Sequence, residues 1–155
     1  MHRYIILIIA LLQSYCVLAD GGRQLNLAGQ WHVQLDPEDV GEKNGWTNRS
    51  FMTSIKLPGT TDDAGLGVAS TLMPALTKPQ LSHLTRKHRY VGAAWYTKEV
   101  LIPKGWAGKE MILNLERIIW ESTVWVDGVE VPQKQRSLVS AHEFDLSSFL
   151  QTGKK

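Results

Sequence analysis

Cysteine is nearly absent from this sequence. Cys16 is the only one in 155 residues, and it stands in an apolar stretch at the N-terminus, so the rest of the chain has no disulfide framework and no thiolate metal site. An excess of one charge is missing too: 17 lysines and arginines face 15 acids, a balance that gives a nucleic-acid backbone little to hold. Arg86-Lys87-His88-Arg89 is the one short basic run, and it reads as a solvated loop. His32, His83, His88 and His142 show neither HxH nor HExxH spacing, which points to packed or solvated histidines rather than a zinc site. No Gly-rich phosphate loop and no Gly-x-Ser-x-Gly elbow occurs, so nucleotide and serine-hydrolase chemistry have no motif here. No cofactor is expected.

Long apolar runs are confined to the first residues. Arg3 precedes an unbroken apolar stretch over 4–12, and Val17-Leu18-Ala19 offers a cleavage site, the pattern of a secretory signal removed before Asp20. Gln13-Ser14 cuts the run short of the roughly 20 residues that a membrane span needs. The expected organisation is therefore a signal at 1–19, a polar linker at 20–24 and one domain from 25 to 155. The protein is expected to be secreted or periplasmic, with no membrane contact after cleavage. Removing the leader takes away Arg3 and no acid, leaving one net positive charge.

The body of the chain is read as strands. Asp127-Gly128 sits between Val124-Trp125-Val126 and Val129-Glu130-Val131, which is what a two-residue type I′ hairpin requires, because both turn residues need positive φ. Met111, Leu113 and Leu115 alternate with Ile112, Asn114 and Glu116. Trp31, Val33 and Leu35 alternate with polar neighbours, as do Phe51, Thr53, Ile55 and Leu57 before Pro58-Gly59, and His142, Phe144 and Leu146 near the end. Each set is a half-buried strand. Tyr96, Val100 and Ile102 are expected on one side of a further strand.

Residues 68–88 hold no period, apart from one helical turn expected over 80–85. Trp46, on a polar loop, is expected to cover a sheet edge, and Asp145 to cap the turn after it. Asn48-Arg49-Ser50 matches a glycosylation sequon, without a mechanism attached. About seven short strands and no long helix argue for an all-β sandwich.

Catalytic carboxylates are hard to find. Glycoside hydrolysis needs two carboxyl groups about 5–5.5 Å apart for retention or about 6.5–9.5 Å for inversion. The candidates are Asp62, Asp63, Glu116, Glu121 and Glu130. Asp62-Asp63 is more simply a turn pair whose side chains bond their own backbone.

The ordered motifs LAGQW (27–31), LPGTTDDAGLG (57–67), KPQLSHLTRKHRYVGAAWY (78–96), LER (115–117), WES (120–122), VWVDG (124–128) and HEFDLSSFL (142–150) together resemble the N-terminal sugar-binding domain of glycoside hydrolase family 2. That family comprises β-galactosidases, β-glucuronidases and β-mannosidases, and the likeness is nearest to secreted Bacteroidetes members. The resemblance implies a jelly-roll β-sandwich, galactose-binding-domain-like, followed in relatives by an immunoglobulin-like domain and a TIM barrel that holds the catalytic glutamates. It implies a carbohydrate partner, a β-glycoside, and carries substrate-side roles to Thr60, Asp62 and Arg117.

The loop 132–137 departs from the family pattern, so no role passes to Arg136 or Ser137. The chain stops at 151–155 where relatives add a strand. The resemblance therefore implies a fragment truncated before the barrel, with an unclosed sandwich that is marginally stable or self-associates. The alternative is a stand-alone secreted carbohydrate-binding or adhesion module.

Overall fold

A computed structural model describes residues 23–71 and 86–153. The leader and the helical turn expected over 80–85 lie outside the described residues. The described chain is built from short strands: β1 Gly29–Asp36, β2 Thr53–Leu57, β3 Val68–Ala69, β4 His88–Arg89, β5 Ala93–Thr97, β6 Ile112–Leu115, β7 Glu121–Ser122, β8 Trp125–Val126, β9 Val129–Glu130, β10 Gln135–Arg136 and β11 His142–Asp145. Two single turns of 3₁₀ helix, Trp46–Asn48 and Lys104–Trp106, are the only helical elements among the described residues. The architecture is the all-β sandwich expected from the alternation.

Strand β1 is the centre of the largest sheet. It pairs antiparallel with β2, Trp31 opposite Ile55, and with β5, Val33 opposite Tyr96. Val33 and Ile55 are buried on its inner face, while His32 and Gln34 face solvent. Strand β11 pairs antiparallel with β6, Phe144 opposite Leu113. Here the alternation holds side by side: His142, Phe144 and Leu146 are buried, whereas Glu143 and Asp145 are exposed. Phe144, Val131 and Leu146 form a core cluster onto which Leu113, Leu115, Val124 and Val126 pack. Asp145 Oδ1 accepts from the Ser147 N–H at 2.9 Å, the expected cap, and the Ser147 hydroxyl and amide hold its carboxyl below the ordinary value.

The aromatic residues join the pieces. Trp95 of β5 lies 4.8 Å from the Trp125 ring of β8, and Trp46 meets both Trp95 and Phe51 edge-on at 6.3 and 6.0 Å. Trp46 is thus a half-buried cover over a strand, as its loop position led us to expect. One sequence expectation changes, and one polar residue is buried against its parity. The strand containing Tyr96 ends at Thr97, so strand parity does not carry from Tyr96 to Ile102; Ile102 is buried and Tyr96 is 40% exposed. Asp36 has the parity of exposed His32 and Gln34, yet it is 1% exposed.

The Asp-Gly hairpin forms as expected. Trp125 pairs with Glu130 and Val126 with Val129, leaving Asp127 and Gly128 as the two turn residues at φ 49° and 80°. A Cβ on Gly128 would lie 2.1 Å from Asn48 Oδ1. Gly128→Val should therefore destabilise by about 1–3 kcal/mol, since a β-branched residue is strained at positive φ. An unchanged denaturation midpoint would remove the turn from the account.

Candidate functional site

The loop after β2 carries two of the three residues singled out as substrate-side candidates. It closes on itself through backbone bonds, Ala64 N–H to Thr60 O at 3.1 Å, Gly65 N–H to Asp62 O at 3.0 Å and Leu66 N–H to Thr61 O at 2.8 Å. Thr60 Oγ1 accepts from the Asp63 N–H at 3.0 Å and donates to Asp63 Oδ2 at 2.7 Å. The Thr60 hydroxyl thus caps the turn at the Asp63 amide and is itself held by the Asp63 carboxylate.

Asp62 behaves differently from its neighbour. The expectation that both carboxylates bond their own backbone holds for neither: Asp63 takes the Thr60 hydroxyl, and Asp62 Oδ1 accepts from the His88 N–H at 2.7 Å, across 26 residues. Asp62 thereby fastens the loop to β4, which also pairs with β3 through Val68–Arg89 and Ala69–His88. His88 Nδ1 lies 3.6 Å from the same Asp62 oxygen. It has no hydrogen-bond partner among the described residues.

Arg117 follows β6 in the left-handed region at φ 57°. It is exposed, and no hydrogen bond or ion pair among the described residues joins it to the 60–67 loop. Thr60 and Asp62 thus share one loop, and Arg117 has no bond to it among the described residues. The remaining candidate carboxylates are occupied or open to water: Glu121 pairs with Arg136, Glu130 lies 3.9 Å from Lys134 Nζ, and Glu116 is exposed. None lies in the dry pocket that would raise a general acid. No group of three or more potential metal-ligating side chains occurs among the described residues.

An open depression of about 570 Å³ lies over the outer face of β6 and β11, with Glu110, Glu143 and Asp145 on its walls beside Lys134. Two glutamines at its rim act as substitutes for a neighbouring strand. Gln135 Nε2 donates to Glu143 O at 2.9 Å, and Gln133 Oε1 accepts from Asp145 N–H at 3.2 Å. These side chains occupy outward backbone groups of β11, which blunts an edge that would otherwise be open to pairing. Three carboxylates against one lysine leave this depression net negative.

Among the described residues, two polar side chains are buried, Asp36 and His142. Asp36 Oδ1 accepts from the Val40 N–H at 3.0 Å, and its Oδ2 accepts from the Gly41 N–H at 2.7 Å and from the Trp95 indole at 3.0 Å. The Tyr90 hydroxyl accepts from the Asp36 N–H at 2.9 Å and donates to Ala93 O. His142 is fully buried, with Nδ1 2.6 Å from Ser122 Oγ. Its burial follows from its expected place in the apolar row of β11; nothing local marked Asp36.

The short antiparallel strands define a class, the β-sandwich domains. Residues 24–155 match the sugar-binding domain of the glycosyl hydrolases family 2, and the chain belongs to that family. It is 27% identical over 112 residues to a β-glucuronidase of Paenibacillus borealis, covering 68% of this chain and 15% of that protein. With the β-glucuronidase of Sus scrofa the identity is 25% over 130 residues, 82% of this chain and 18% of the relative. The β-glucuronidase of Ruminococcus gnavus superimposes with a TM-score of 0.63 at 25% identity, over 83% of this chain and 19% of that one. Its complex with D-glucaro 1,5-lactone gives a TM-score of 0.64 at 24% identity. The chain thus spans less than a fifth of the length of the curated relatives it matches.

Proposed function

We propose that this chain is the non-catalytic sugar-binding domain of a β-glycosidase that acts on β-glucuronides, the catalytic carboxylates being supplied by polypeptide beyond it. The family match across 24–155 carries the reading, and the β-glucuronidase relatives supply the substrate class. The absence of a dry carboxyl pair among the described residues is consistent with chemistry carried out elsewhere. In this reading the 60–67 loop faces the sugar, with Thr60 shaping it and Asp62 fastening it to β4, while Arg117, exposed after β6, offers a further cation. The charged start and apolar run of 1–19 support export, with a mature N-terminus at Asp20.

One secreted preparation tests these points together. Its N-terminal residue should be Asp20, and it should not turn over aryl β-glucuronide, β-galactoside or β-mannoside. Turnover abolished by replacing a carboxylate within 20–155 would overturn the non-catalytic assignment. Tight glycan binding by the chain alone, unaffected by Thr60→Ala or Asp62→Asn, would favour an independent carbohydrate-binding module over a glycosidase domain.

A further inference from the structure

We draw no further inference here: the strongest candidate, the exposed apolar patch that Ile119 and Trp120 after β6 form with Leu138 and Val139 after β10, where the β7–β10 pairing brings the two loops together, carries nothing because nothing in the structure shows what covers it.

Discussion

Replacing Phe144 by alanine should destabilise the fold by about 3–5 kcal/mol and lower its melting temperature by on the order of 10 °C. Phe144 is fully buried, and it forms the core with Val131 and Leu146 while Leu113, Leu115, Val124 and Val126 pack around it. The substitution removes the transfer free energy of a whole ring and leaves a cavity in contact with two strand pairs. Relaxation is limited, because β11 is held by β6 on one side and by the Gln133 and Gln135 side chains on the other. Phe144→Leu, which retains most of the volume, should lose much less. Equal melting temperatures for the alanine variant and the wild type would mean that the core cluster is misplaced.

The Asp36→Ala variant should lose about 3 kcal/mol, because three buried donors, the amides of Val40 and Gly41 and the Trp95 indole, are left without their acceptor. Asp36→Asn retains one acceptor oxygen and should fall between the two. The site has no slack for repair by bulk: a Cβ on Gly41 would lie 2.3 Å from Trp95 Nε1 and 2.8 Å from Asp36 Oδ2.

The same group predicts a pH dependence. Burial alone would raise the Asp36 pKa, but the hydrogen bonds from Val40, Trp95 and Gly41 outweigh it and bring the carboxyl below its ordinary 3.8. The folded protein then binds this proton less readily than the unfolded chain. The contribution of Asp36 is complete above pH 3.8 and is lost as pH falls through the lower folded value. Denaturant unfolding should show wild-type stability declining below about pH 4, with a flatter decline in Asp36→Ala. An alanine variant within 1 kcal/mol of wild type at pH 7 would contradict this role.

How much was legible in the sequence follows the range of each interaction. The Asp127-Gly128 hairpin depends on four consecutive residues and their φ angles, and it was read directly. The rows through Met111, Leu113 and Leu115 and through His142, Phe144 and Leu146 were read because a half-buried strand repeats every two residues. Asp145 as a cap was legible for the same reason, its partner being two residues on. The family's motif order supplied the domain type.

Asp62 was read as a turn former because its nearest backbone is local, whereas its real partner is the His88 amide, delivered by a chain reversal that no pattern in 68–88 announced. Asp36 has the parity of the wet face. It is buried only because the loop after β1 folds back to bring Val40 and Gly41 onto its carboxylate, and because Trp95 arrives from β5. The apolar surface at Trp120 and Val139 likewise has no sequence signature, since its two loops meet only through the β7–β10 pairing. The sequence by itself determined strand positions, the tight turn and the family, all set by backbone geometry and side-chain period. Tertiary structure alone decided which acids became internal anchors and which apolar groups were left uncovered, because burial is fixed by long-range contacts that a local period does not encode.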